Sequence, residues 1–455
     1  MEYEEFLQKK SHSINNFGFE AKYNPEYLFD FQSFIVKKGI KKGRYAIFAD
    51  TGLGKTAIEL VIAENIVRET NKKVLIITPI AVAYQFLLEA EKIGVDDVTH
   101  SKVGELKSKI IVTNYERLHY YNPNDFVCVI CDESSILKND QGVIRSQVTS
   151  FMKRHDYRFL ATATPSPNDF IELGTSSEAL GNLGYMDMLK IYFGNNENNI
   201  RPQEIANKWY LKPHAIDAFF NWVSSWSIVV RKPSDLGFDD TNYKLPNLIK
   251  NHHSVKNECN WLVNGQTTLY GTIAQTMTDV KEEQKQTIKQ RCELAYELSS
   301  QHEVSVYWCN FNKEGDLLKQ LDKDAYQIQG GMDIDKKEEL LENFFKGNIN
   351  KLITKPKMTA YGLNWQRCNH TTYFPTWSYE QYYQAIRRFW RFGQKKDVIV
   401  DLIYSDGQKR VLDALELKSQ KADELFEKLN KNTNEVINFK KLSFDKQIVL
   451  PSFIG

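Results

Sequence analysis

Short β-branched apolar runs punctuate the first half of the chain: "YAIFAD" (45–50), "KVLIITP" (73–79), "KIIVTN" (109–114), "FVCVICDE" (126–133) and "YRFLATATP" (157–165). Longer stretches with apolar residues at helical spacing separate them. Brief apolar runs alternating with helices predict βαβ units and a parallel sheet covered on both faces. The texture changes over about 170–226, where Gly, Asn and the tryptophans Trp209, Trp222 and Trp226 accompany longer helical patterns. This reads as a helical insertion, after which "WSIVVRKP" (226–233) returns to a strand. Residues 234–258 are polar and broken by Gly237 and Pro246, which predicts a connector. A second series then follows a largely helical stretch: "VSVYWCNF" (304–311), "AYQIQG" (325–330), "KLITKPKM" (351–358), "HTTYFPT" (370–376) and "VIVDLIYS" (398–405). The expected organisation is an N-terminal extension (1–26), a first α/β domain (27–240), a linker (241–258), a second α/β domain (259–408) and a helical tail (409–455). The charged, periodic tail is expected to pack back on the second domain.

Composition narrows this picture only slightly. The 455 residues are 42% hydrophobic, enough for a core in each domain. Lys plus Arg (59) against Asp plus Glu (58) leaves a formal charge of +1, so a nucleic-acid footprint has to come from local clusters. The N-terminus is acidic without an apolar segment, and no long apolar run occurs, so neither a signal peptide nor a membrane span is expected and the location expected is cytoplasmic. Cys128 and Cys131 form the only close cysteine pair. On a strand, residues three apart are separated by roughly 10 Å, beyond disulfide reach, which favours two small core residues over a redox or metal motif. His252 and His253 have no metal-ligand set around them and read as solvated connector residues.

Candidate chemistry concentrates after the first and fourth strands. "ADTGLGKTAIEL" (49–60) follows a strand and opens a helix, the context a phosphate-binding loop needs. In the loop formed by Thr51, Gly52, Leu53 and Gly54, the glycines let backbone N–H groups converge on phosphate oxygens at the positive end of a helix. Lys55 is placed to neutralise β- and γ-phosphates and Thr56 to hold Mg²⁺. Ala49 stands where the usual pattern has its first glycine. "CDESS" ends the fourth apolar strand, and in a parallel sheet that end faces the same crevice. Asp132 can complete a Mg²⁺ shell, and Glu133 can polarise an attacking water. Acidic pairs at strand ends also serve as helix caps, and it is the phosphate loop upstream that favours the catalytic reading.

Five blocks in order, "ADTGLGKT", "DESS", "ATATP" (161–165), "TAYGLNWQ" (359–366) and "QAIRRFWRFGQ" (384–394), resemble helicase superfamily 2 and, more closely, its Swi/Snf-type branch of DNA-dependent ATPases. The last block is similar to that branch's QAxxRxxRxGQ pattern at every fixed position. "YLFDFQSFIVKKGI" resembles the segment whose glutamine, Gln32 here, reads adenine, and "NGQTTLY" (264–270) resembles the start of the branch's second lobe. The resemblance implies two tandem RecA-like P-loop domains, ATP and Mg²⁺ as cofactors, and DNA as the partner. DESS stands where many relatives carry DEAH or DEGH, and the short insertions point to a compact bacterial or viral type of motor.

By the same resemblance, Gly362 and Gln384 belong to the nucleotide and coupling motifs. Arg388 and Arg391 fall on the two fixed arginines of the last block and imply arginine fingers, residues worth roughly 10³–10⁵ in rate. Spaced by three in an expected helix, they would share one face. Arg387 reads as structural or nucleic-acid-facing. Phe389, Trp390 and Phe392 read as packing, with base stacking the alternative. Thr162 and Thr164 are expected to couple Glu133 to the lobe interface, or else to serve ordinary turn chemistry before Pro165. Thr113, Arg117 and Thr359 are implied phosphate contacts of sequence-tolerant, salt-sensitive binding. Within this class the open alternatives are duplex translocation, strand separation, an RNA substrate and a slow nucleotide-gated switch.

Overall fold

The computed structural model describes residues 16–138, 142–166, 169–195, 209–256, 262–263, 266–267, 277–359 and 365–444. By internal packing the chain divides into one unit of 1–75, 122–242 and 422–455 and a second of 76–121 and 243–421. The first sheet is built from β1 (Arg44–Ala49), β2 (Lys73–Thr78), β3 (Val98–His100), β4 (Ile110–Asn114), β5 (Phe126–Cys131), β6 (Tyr157–Thr162) and β9 (Ser227–Val230), in the order β3-β4-β2-β5-β6-β1-β9. A two-stranded antiparallel ribbon, β7 (Phe193–Asn195) and β8 (Trp209–Leu211), lies in the insertion between β6 and β9. Every residue of β5 is buried, so its apolar side chains face protein on both sides and the strand reads as an unbroken apolar run. Cys128 and Cys131 sit on this strand, and burial pushes the Cys128 thiol well up.

The expected insertion contains helices Glu172–Leu180, Tyr185–Tyr192 and Ile216–Trp226. Phe219, Trp222 and Trp226 turn one face of the last helix inward, where Trp222 stacks on Tyr192 at 5.4 Å and Trp226 meets Phe48 of β1 edge-on at 6.0 Å. The tail forms helix Lys409–Phe444. In the second unit Lys418 Nζ donates to Trp377 O at 2.9 Å, while in the first Arg231 pairs with Asp423 at 2.6 Å and covers the Phe426 ring at 4.0 Å. The tail's contacts are therefore not confined to the second domain, as its pattern had suggested.

In the second unit β10 (Leu248–Val255), β13 (Ser305–Trp308), β14 (Ala325–Gln327), β15 (Lys351–Thr354), β16 (His370–Tyr373) and β17 (Val398–Ser405) form a parallel sheet in the order β10-β17-β16-β13-β15-β14, and β11 (Leu262–Val263) pairs with β12 (Gln266–Thr267). β10 corrects the reading of 234–258 as connector: all eight of its residues pair with β17. As an edge strand it carries exposed Lys250, Asn251 and His252, so no apolar alternation betrays it. Trp308, Trp365 and Phe389 meet at the centre of the core, Trp308 and Trp365 stacked at 5.7 Å. Beneath the sheet, Arg291 and Glu314 pair at 2.7 Å with both side chains fully buried; Glu314 also accepts Asn310 and Phe311 N–H groups, which caps helix Asn312–Leu321. Removing one partner of such a pair costs about 3–5 kcal/mol because the other charge stays buried.

His253 is likewise no free solvated residue. Its Nε2 lies 2.8 Å from Asp401 Oδ1, while His370 Nε2 lies 2.8 Å from Oδ2 and Asn251 donates to Oδ1 at 2.9 Å. The His302 ring stacks on His370 at 3.8 Å, and Ser305 Oγ faces His370 Nδ1 at 2.8 Å. Among the described residues no helix is long and apolar enough to cross a membrane, and no group of three or more His, Cys, Asp and Glu side chains is arranged to hold a metal ion.

This cluster yields a pH prediction. Burial opposes ionisation of Asp401, but hydrogen bonds from His370, His253 and Asn251 win and hold its carboxyl at about 2. A carboxyl depressed on folding stabilises above its unfolded pKa of about 3.9 and loses that contribution as pH falls towards the folded value. Asp401→Asn is expected to lower stability by about 1–3 kcal/mol at neutral pH. In chemical denaturation at stepped pH, its deficit against the wild type should shrink between pH 4 and 2.

Candidate nucleotide site

Three neighbouring strands bring the sequence motifs to one sheet edge. β6 lies between β5 and β1, with Phe48 opposite Thr162 and Cys131 opposite Leu160. The loop after β1, the acidic pair after β5 and the Thr-rich turn after β6 therefore leave the same C-terminal edge. The loop takes two left-handed turns, Gly52 at φ 87° and Gly54 at φ 77°, before helix Lys55–Thr70 begins. Gly54 is the N-cap and offers no side chain to the first turn, which leaves that turn's N–H groups to an outside acceptor. Lys55 Nζ donates to Ala49 O at 2.9 Å and Asp50 O at 3.4 Å, folded over the loop it follows, and Thr51 N–H donates to Asp50 Oδ1 at 2.6 Å.

Gln32 lies against this loop. It sits in the first turn of helix Asp30–Lys42, where Oε1 accepts from Phe29 N–H at 3.0 Å and Nε2 donates to Leu53 O at 2.9 Å. The carboxamide thus ties the helix start to the loop apex, a task the sequence did not disclose. A side chain on Gly54 would start 2.3 Å from Gln32 Nε2.

Asp132 and Glu133 are both buried, and Glu133 holds a left-handed φ of 49°. A non-glycine residue there costs of order 1–3 kcal/mol and persists only where its surroundings impose it. Among the described non-glycine residues only Asn71, which caps a helix, shares a positive φ. Glu59, which sequence reasoning missed, completes the cluster: one turn beyond Lys55, it is fully buried, and neither carboxylate oxygen accepts a hydrogen bond from a donor group. Burial first, then the charge of Asp132, push its carboxyl well above the ordinary carboxylate range, with Lys55 opposing. The signal was available as one acidic residue inside the apolar face "AIELVIA". Hydroxyl and carboxylate oxygens of Thr56 and Asp132 are the hard donors that Mg²⁺ takes, and the surplus of carboxylates over Lys55 fits a dication. Thr162 and Thr164 are buried at the end of β6, and Thr162 Oγ1 accepts Thr164 N–H at 3.1 Å, a turn-forming bond.

The remaining motif residues lie in the second unit. Helix Tyr379–Ile386 ends before the arginines, and Arg387 to Gly393 form turns, so the shared helical face expected of Arg388 and Arg391 is not present. Gly393, at φ 89°, lets the chain reverse, and Gln394 Nε2 donates to Gln366 O at 2.9 Å and Cys368 O at 3.2 Å. The final Gly-Gln of the motif therefore shapes the turn that carries the arginines. Arg388, Gln384 and Arg387 are buried, the Arg387 guanidinium lying 4.9 Å over the Trp390 ring. The aromatics pack: Phe389 joins the core, Trp390 Nε1 donates to Pro246 O at 2.7 Å, and Phe392 stacks on Tyr243 at 4.6 Å.

Thr113 is fully buried, and its hydroxyl donates to Ser101 O at 3.0 Å, so it serves the fold. Arg117 is nearly buried, with Nη1 donating to Asn114 Oδ1 at 2.9 Å. Thr359 ends helix Pro356–Thr359; its side chain and Gly362, like most of "NGQTTLY", lie outside the described residues.

The loop geometry predicts that Gly54→Ala combines left-handed strain of about 1–2 kcal/mol with loss of the Gln32 tie to Leu53, since the carboxamide must swing away. A lower melting temperature together with weakened binding of a fluorescent ADP analogue is expected; unchanged values for both would contradict it.

Comparison with known proteins agrees with this geometry. Residues 29–172 match the DEAD/DEAH box helicase family and residues 286–393 the helicase conserved C-terminal domain. The chain is also 26% identical over 446 aligned positions to the uncharacterized ATP-dependent helicase YqhH of Bacillus subtilis (strain 168), covering 84% of this chain and 76% of that protein. With these two domains in series on two parallel α/β sheets, the chain belongs to helicase superfamily 2, the ATP-hydrolysing helicases.

Proposed function

We propose that this protein is a Swi/Snf-type, DNA-dependent ATPase that uses ATP hydrolysis to move along DNA. The observation that supports it most is the buried acidic pair leaving β5 beside the phosphate loop, with Glu133 in a backbone conformation that costs energy and so calls for a use. In this reading the loop N–H groups from Thr51 to Gly54 and the Lys55 ammonium hold the β- and γ-phosphates, with Lys55 exchanging its carbonyl partners for phosphate oxygens. Thr56 and Asp132 would hold Mg²⁺, which when bound neutralises phosphate charge. Glu133 takes a proton from water as its oxygen bonds to the γ-phosphorus; the bond to the β,γ-bridging oxygen breaks, and ADP and phosphate leave. Arg388 and Arg391 keep the part that the motif gives them, countering charge on the transferred phosphoryl group. Gln32 would sense nucleotide through the loop apex it already binds, and Thr162 and Thr164 would relay changes at Glu133 along β6.

Arg117 remains a nucleic-acid contact in this reading, while the buried hydroxyl of Thr113 does not. Contacts of this kind position a backbone without reading sequence.

Phosphate release measured with single-stranded DNA, duplex DNA and RNA tests the reading. DNA should stimulate the wild type, and Glu133→Gln should lose about 10²–10⁴-fold of the stimulated rate while still binding nucleotide. Full stimulated turnover in that variant would remove Glu133 from the mechanism; stimulation by RNA alone would change the substrate class; negligible turnover with every polymer would favour a nucleotide-gated switch.

A further inference from the structure

Lys102, which no motif singles out, follows β3 within the second unit and reaches two carboxylates of the helix Ile334–Lys346: Asp335 Oδ1 at 2.5 Å and Glu338 Oε2 at 3.0 Å. Arg117 approaches the same two residues at 3.7 Å each, beyond hydrogen-bond length. Two cations thus face two carboxylates. The Arg117 side chain is only 11% exposed and is aimed by Asn114, whereas Asp335 is 66% exposed and Lys102 43%.

Ion pairs as exposed as Lys102 with Asp335 contribute little to stability. Beside them an open pocket of about 200 Å³ is lined by Ile80, Tyr84, Leu88, Leu341 and Phe345, with Lys102 and Glu338 themselves in its wall. The Lys102–Asp335 pair is therefore weakly held, and Arg117 meets both acidic partners without hydrogen-bonding them.

Resting on the helicase reading above, we propose that Lys102 and Arg117 form a seat for the phosphodiester backbone of DNA, and that Asp335 and Glu338 occupy this seat as a built-in acidic competitor. A phosphate between the two cations replaces two carboxylates with one acceptor that both can hydrogen-bond. The displaced carboxylates return to solvent, and the exposed Lys102–Asp335 pair resists this only weakly. The competitor lowers affinity for DNA and also its salt dependence, because carboxylates released by DNA take up cations while the phosphates shed theirs.

Fluorescence anisotropy with labelled single-stranded and duplex DNA, without nucleotide and over a range of salt, tests this. Asp335→Asn, Glu338→Gln and the double substitution should bind about three- to tenfold more tightly at low salt, with a steeper salt slope. Lys102→Gln should bind more weakly than the wild type. Asp335→Asn alters an exposed side chain, so it keeps the test valid if the double variant, checked by its melting curve, does not fold. Affinity and slope equal to or lower than wild type in the acid-neutral variants would overturn the proposal, as would unchanged binding by Lys102→Gln. If neither the wild type nor any variant binds DNA, the DNA-motor reading fails and this inference with it; wild-type binding without a gain in the variants defeats this inference alone.

Discussion

Parallel strands that end together impose the constraint on which the rest of this protein depends. β5, β6 and β1 are neighbours in register, so whatever follows each of them emerges at one edge. Both flanking exits are left-handed, through Gly52 and Gly54 after β1 and through Glu133 after β5. Glycine accepts such a turn at little cost; glutamate does not. The loop is steadied from outside the sheet by Gln32, and its lysine rests on the loop's own carbonyls. The outcome is a group of backbone donors and carboxylates fixed by the fold itself, the arrangement from which preorganised electrostatics gain their strength.

The second unit solves a different problem with similar means. Its arginines stand on turns after the helix Tyr379–Ile386, so their positions depend on what fixes the turns. Phe389 anchors one side in the Trp308 and Trp365 core, and Gln394 ties the other to the Gln366 and Cys368 carbonyls. The interleaved aromatics of "QAIRRFWRFGQ" take part in this packing, through Phe389 in the core, Trp390 on Pro246 O and Phe392 on Tyr243.

Much of this was legible in the sequence because buried parallel strands write themselves as unbroken apolar runs. β5 is "FVCVIC" with every side chain inside. The phosphate loop was legible because only glycine adopts its turns freely. What escaped was polar structure. β10 hides because an edge strand with exposed Lys250 and His252 shows no alternation, and its His253 finds Asp401 some 148 residues away. Thr113 resembled a surface contact and proved buried, since its burial depends on a long-range bond to Ser101 O. The helical spacing of Arg388 and Arg391 failed for a local reason: the chain must reverse at Gly393, and the last helical turn is given up to make room. Glu59 went unread because a single acid in an apolar helix means little until the strand opposite it is known to end in Asp132.

The central claim is that the edge formed by β1 and β5 seats a nucleotide triphosphate, with Lys55 on the phosphates and Asp132 on the metal. Titration of a fluorescent ATP analogue with and without Mg²⁺ tests it most directly. Lys55→Ala should weaken binding at least about tenfold under both conditions, whereas Asp132→Asn should bind as the wild type does without Mg²⁺ and lose the gain that Mg²⁺ confers. Wild-type affinity and Mg²⁺ dependence in both variants would contradict the account.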